Sequence, residues 1–283
     1  MTLETTEKPS TLDYQLCSYD GCRLNFRGPA PVLTEPYIAV LGGTEVFGRF
    51  IQHPFTELMQ EWTGMQVANL GVAQAGLSLF SEEPWLLDAG SRADVTVLQV
   101  LGAQNMSNRL YSVHSRRNDR FLGVSPELRE MYPDVDFSQI NFTGHLLETL
   151  SKDEVAFAKL VQELKWAWVQ RMRRVLAMIQ GDVILLWMSD HSPDEIGTQL
   201  HGAEPLFVDR EMINELSDEI AGFVEVVTDR AAPDLQGKVI SEDEAEAARC
   251  MPGPQDHLRA AEAVSVEVSH LRGTDPMPYR VRA

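Results

Sequence analysis

Residues Tyr37 to Gly48 read YIAVLGGTEVFG. The first six are apolar and include β-branched positions, and glycines close the run. That is the signature of a buried strand that stops abruptly and hands over to a turn. Four further runs repeat it: QVANLG (Gln66 to Gly71), VTVLQVLG (Val95 to Gly102), DVILLWM (Asp182 to Met188) and FVEVVT (Phe223 to Thr228). Strands apolar on both faces, separated by helical patterns, belong to a parallel sheet covered on both sides. Five such strands predict a three-layer α/β fold.

The helical patterns carry their own punctuation. FTELMQEW follows Pro54, which a helix tolerates only near its start. Ser151-Lys-Asp-Glu154 and Ser241-Glu-Asp-Glu244 both fit a capping box, in which Ser and Glu side chains satisfy free backbone N–H groups. The first is expected to open a long helix over 152–180, with Gly181 just past its end as C′. Phe157, Val161, Leu164, Trp168, Met172, Val175 and Ile179 step by three or four along it, a continuous apolar stripe. Packing on the sheet is the favoured use of such a stripe, and part of it could also meet a second copy in a homodimer.

The 283 residues carry 24 Lys and Arg against 42 Asp and Glu, a formal charge of −18, with a pI near 4.7. So acidic a chain is expected to avoid nucleic acid and anionic membranes. No apolar run reaches the roughly 18 residues a membrane span needs. The N-terminal MTLETTEKPSTLDYQL lacks the apolar core of a secretory signal. Three cysteines, Cys17, Cys22 and Cys250, form neither a disulfide framework nor a zinc pattern. A cytoplasmic protein is expected, with residues 1–36 as a tail and lead-in and one domain over 37–283. The stretch 116–149 reads as an excursion between the third strand and the long helix.

In an open parallel sheet, ligands bind beyond the C-terminal ends of the strands. The residues there are Gly42-Gly43-Thr44-Glu45, Asn69-Leu70-Gly71-Val72, Gly102-Ala103-Gln104-Asn105 and Ser189-Asp190-His191. Small residues, amides and a hydroxyl converge on one rim. Each has a plainer reading too: Thr44 as a helix N-cap, the glycines as ordinary turns. Arg109, Arg116, Arg117 and Arg120 follow the third strand. Their forked donors suit a carboxylate, sulfate or phosphate, and ion pairing with nearby carboxylates is the alternative. Asp190, His191, Asp194 and His201 form a second polar cluster without metal-ligand spacing; it suits a loop that binds a polar substrate. No metal and no cofactor is expected.

The order and spacing of these blocks resemble the SGNH (GDSL-like) hydrolases, a flavodoxin-like family of esterases, lipases and carbohydrate acyl-esterases. LGGTEVFG stands where that family's first block lies, with Thr44 at the nucleophile position and Gly48 matching. Asn69 and Gly71 match the second block, GAQN (Gly102 to Asn105) the third, and His257 in PGPQDHLRAAEAV the last. The FRGP lead-in (Phe26 to Pro29) and the GGT-x-x-FG block resemble more closely an uncharacterised bacterial family of SGNH-like proteins. The resemblance implies Thr44 as nucleophile and His257 as base. Backbone N–H groups at Gly43 and Gly71, with an amide from Gln104 or Asn105, would form the oxyanion hole. It also implies departures. Gly43 replaces an Asp, Gln104 stands at the oxyanion Asn, and Pro254 occupies the acid position three residues before His257. Asp190 is the substitute expected to orient His257, while Arg109, Arg116, Arg117 and His191 would bind substrate. Three functions follow: an ester-processing enzyme on a polar substrate, carbohydrate-linked or anionic; a lapsed module binding a carbohydrate or anionic metabolite; and, more weakly, sulfotransferase-like group transfer.

Overall fold

The computed structural model describes residues 12–34, 36–195, 204–228 and 235–274. Five strands form one parallel sheet: β1 (Tyr37–Gly42), β2 (Gln66–Gly71), β3 (Val95–Gln99), β6 (Asp182–Ser189) and β7 (Gly222–Val227), in the order β2-β1-β3-β6-β7. This is the flavodoxin-like order, and it confirms the expected α/β fold. VTVLQVLG stops pairing as a strand at Gln99, three residues earlier than its apolar run suggests.

Alternation along β1 assigns the two faces. Ile38 and Val40 pack with Phe55 and Met59 of α2 (Phe55–Thr63) and with Ala260, Val264 and Val268 of α10 (Pro254–Arg272). Tyr37, Ala39 and Leu41 face the other layer, which holds α3 (Leu77–Glu82), α4 (Pro84–Arg92) and α7 (Glu154–Met178). Burying these side chains supplies the main stabilisation, at about 25 cal/mol per Å² of apolar surface.

The long helix differs from expectation at both ends. Asp153, not Ser151, caps α7: its carboxylate accepts from Val155 N (3.1 Å) and Ala156 N (3.0 Å). A carboxylate also complements the positive end of the helix dipole, which a hydroxyl does not. Ser151 instead closes the preceding α6 (Thr143–Leu150), donating to Glu148 O at 3.0 Å. Ile179 caps the C-terminus in extended conformation, so Gly181, at φ +105°, lies beyond C′. The stripe is spent inside the domain, Val161 only partly, and Trp168 Nε1 donates to Leu101 O at 2.8 Å, tying α7 to the end of β3. The Ser241–Glu244 motif does form a capping box, ahead of α9 (Ala245–Arg249).

The excursion starts earlier than residue 116 and is built of regular pieces. An antiparallel hairpin, β4 (Tyr111–Val113) with β5 (Phe121–Val124), precedes α5 (Pro126–Met131) and α6. The lead-in is pinned to the domain: Phe26 is buried in the core, and the Arg27 guanidinium donates to Gly48 O (2.7 Å) and Gln52 O (2.9 Å). Among the described residues no helix is long and apolar enough to cross a membrane.

Candidate functional site

The chain leaves β1 for β2 on one side and crosses to β3 on the other, so the topological switch point lies between β1 and β3. Ligands of open α/β sheets bind in the crevice at that point. The turn after β1 enters it. Gly43 is the N-cap of the short α1 (Thr44–Phe47), so Thr44 is the first helical residue and not the cap. A Cβ on Gly42 would meet Val46 Cγ2 at 2.3 Å and Gln99 Oε1 at 2.5 Å, so only glycine fits there. The Thr44 hydroxyl is half-buried and accepts from Gln74 N at 3.0 Å. Gln74 holds φ +60°, a left-handed conformation that costs a non-glycine residue about 1 kcal/mol.

The two backbone donors expected to face an oxyanion are turned inward. Gly43 N donates to Gln99 Oε1 at 2.8 Å, and Gln99 Nε2 donates to Glu45 Oε2 at 2.9 Å. Gly71 N donates to Asn69 Oδ1 at 3.1 Å, while Asn69 Nδ2 bonds Val46 O and the Thr56 hydroxyl. Gly71 is glycine for close approach: its Cβ would lie 2.3 Å from Phe47 N. Asn105 Oδ1 accepts from Thr143 Oγ1 at 2.6 Å, anchoring α6 to the loop after β3.

His257 sits in the first turns of α10, 1% exposed and packed against Phe55. Its Nδ1 accepts from Phe55 N at 3.1 Å, so the ring caps the start of α2 and carries its proton on Nε2. Burial above all, then the Arg27 and Lys238 cations, lowers its pKa to about 3. The ring is thus neutral, through desolvation above all. Among the described residues no hydrogen bond joins His257 to Thr44. The nitrogen of His257 that can accept a proton is engaged by the Phe55 amide. The histidine that meets Asp190 is His191, at 3.0 Å, and not His257.

Past β3 and β6 lies a group that sequence reasoning missed. Glu204 Oε1 accepts a short hydrogen bond from Gln104 Nε2, and its Oε2 accepts from Leu206 N at 3.3 Å. Its carbonyl accepts from Ser189 Oγ at 2.5 Å, and Ser189 Oγ lies 2.6 Å from His191 Nδ1. The residue is open to solvent, yet protein surrounds its carboxyl: desolvation first, then the Glu45 carboxylate, raise its pKa to about 7. Gln99, an amide side chain inside the apolar run VTVLQVLG, was the available sequence signal for this side of the crevice. Glu204 had none, since nothing in its local pattern ties it to a strand end.

The arginines divide. Arg109 is a structural tie, bonded to Glu127 (2.6 Å) and Glu163 (3.1 Å) across α5 and α7; it is not presented as a substrate donor. Arg116 and Arg117 are exposed and, among the described residues, form no salt bridge. Their backbone N–H groups both donate to His114 Nδ1 at 3.2 Å, shaping the hairpin tip. Buried Asn118 fastens that tip to the rim: its Oδ1 accepts from Gly76 N and Leu79 N, next to Gln74. Arg120 lies over the Phe142 ring. Asp194 is ion-paired to Arg210 at 2.8 Å; His201 lies outside the described residues. Among those residues no three metal-ligating side chains gather.

Solved structures similar to this chain include a lipase from a goat rumen metagenome (14% identity, 86% of this chain and 99% of that one, TM-score 0.37). A catalytic mutant of an acetylxylan esterase from Geobacillus stearothermophilus is another (11% identity, 87% and 97%, TM-score 0.39). A gut microbial diltiazem-metabolizing enzyme is a third (14% identity, 83% and 47%, TM-score 0.38). A comparison with curated protein sequences finds no match. A family model matches residues 1–272, nearly the whole length: the chain belongs to the DUF6473 family, a domain of unknown function.

Proposed function

We propose that the protein is an SGNH-like ester-processing enzyme, a hydrolase or acyltransferase, acting on a polar substrate that is carbohydrate-linked or anionic. The observation that carries this reading is the Thr44 hydroxyl. It follows the interior strand β1 at the switch point, is partly open to solvent, and accepts a hydrogen bond from a strained backbone N–H. A hydroxyl that accepts keeps its own proton to give away and a lone pair to attack with. The crevice beside it holds Glu45, Gln99, Gln104 and Glu204, and Arg116 and Arg117, which form no salt bridge among the described residues, suit an anionic or sulfated substrate.

One observation favours the second reading, a module that binds such a ligand without turning it over. Gly43 N, Gly71 N and His257 Nδ1 are each engaged within the protein. Hydrolysis of 4-nitrophenyl acetate by wild type, Thr44→Val and Thr44→Ser separates the two. The enzyme reading expects loss in Thr44→Val and retained or faster turnover in Thr44→Ser, which lacks the crowding methyl. Equal background rates in all three would favour the binding module.

A further inference from the structure

Gln104 is 4% exposed and its Oε1 is buried with no hydrogen-bond partner among the described residues. A buried amide carbonyl left unpaired carries its full desolvation cost, so native structures rarely leave one. A donor stands next to it if Glu204 is a carboxylic acid and not a carboxylate. The Cβ that Gly102 lacks would lie 2.1 Å from Gln104 Oε1 and 2.5 Å from Glu204 Oε2, so both oxygens border the place it would take. On the other edge of the same two groups, Gln104 Nε2 already donates to Glu204 Oε1. A proton on Glu204 would supply the donor that the Gln104 oxygen lacks.

We propose that Glu204 carries a proton and closes a cyclic acid–amide pair with Gln104, which makes Glu204 the residue that positions the Gln104 amide at the switch-point crevice. Both hydrogen bonds of the ring are then made: Nε2–H of Gln104 to Oε1, and Oε2–H of Glu204 to Gln104 Oε1. The amide cannot flip, and its second Nε2–H is kept for a ligand oxygen. Gly102 is required because any side chain would open the ring. Among the described residues, the charged and titratable groups around Glu204 are Glu45 from α1 and, through Ser189, His191 with its neighbour Asp190. Glu45 and the surrounding protein both disfavour a second negative charge, in the direction of the raised pKa. Ionisation releases the proton to solvent and leaves acceptor against acceptor, so the ring opens and the amide is freed to turn.

The pair stands on the geometry alone; its effect on catalysis rests on the ester-processing reading. The test is a pH titration of the Gln104 side-chain amide by NMR, in wild type and in Glu204→Gln. Glutamine at 204 preserves the ring, as an amide–amide pair, but cannot titrate. The expected result is a midpoint near 7 in wild type and none in Glu204→Gln. A midpoint near the ordinary glutamate value of about 4.3, or the same titration in Glu204→Gln, overturns the proposal. Ester turnover adds a second readout: the Thr44-dependent rate should fall above pH 7 in wild type, stay flat in Glu204→Gln, and drop at least tenfold at every pH in Glu204→Ala. If no protein turns over ester, the enzyme reading fails while the NMR midpoint still decides the pair.

Discussion

On the α2–α10 side of the rim, His257 gives its Nδ1 to the Phe55 N–H, buried and neutral. On the β3–β6 side, Gln104 Oε1 is buried with nothing to accept from among the described residues, beside a carboxyl that resists ionisation. The first stands where the resemblance leads one to expect a base, and its hydrogen bond to the Phe55 N–H is a structural one. The second matches its motif only loosely and is left incomplete. Satisfied polar groups hold a fold together, whereas unsatisfied buried ones call for an explanation in ligand, proton or chemistry.

The largest expected effect tests the first side. His257→Ala removes a buried ring and leaves the Phe55 N–H unpaired, and it should lower unfolding free energy by about 2–4 kcal/mol in urea denaturation. A change under about 0.5 kcal/mol would break the structural half of the comparison. Gly71→Ala should follow, at about 1–3 kcal/mol, because its Cβ meets the Phe47 backbone and not a side chain that could move.

The two titrating groups should act in opposite directions. His257 has a pKa of about 3 against an ordinary 6.5, so the unfolded chain binds the extra proton between those values. Its stabilisation is full above 6.5 and is lost as pH falls toward 3. Glu204 is raised from 4.5 to about 7, so the folded chain binds the extra proton. Its contribution is full below 4.5 and fades as pH rises through 7. Melting curves of wild type and Glu204→Gln should therefore separate with rising pH, the variant gaining on the wild type between pH 5 and 8. A constant gap would remove the proton from the Gln104 side.

The smallest effect on stability is expected at the hairpin tip. Replacing Arg116 and Arg117 together by Ala should change unfolding free energy by no more than about 0.5 kcal/mol, since neither is paired among the described residues. The same variant should raise KM about tenfold for an ester bearing a sulfate or carboxylate and leave a neutral ester unchanged. Equal KM shifts for both esters would show that these arginines shape the loop without reading charge.

The sheet was legible because burial on both faces writes a long apolar run: YIAVLG and QVANLG match β1 and β2 residue for residue. Helix ends were harder, since Ser151 and Asp153 both suit a cap and only packing decides between them. The site was half legible. Thr44, Gln104 and the paired glycines lie where strand ends predict, but the bonds they make depend on residues distant in sequence: Gln99 on Gly43, Phe55 on His257, Glu204 on Gln104. A single sequence does not show which of two neighbouring amides, Gln104 or Asn105, turns into a helix and which faces a carboxyl.

The most direct test of the central claim is the mass of the protein after a brief incubation with 4-nitrophenyl acetate, followed by peptide mapping. The account predicts an acetyl group on the Thr44 hydroxyl that forms with release of nitrophenol and is absent from Thr44→Val. Nitrophenol released with no acyl group on Thr44, or the same labelling in Thr44→Val, would contradict it.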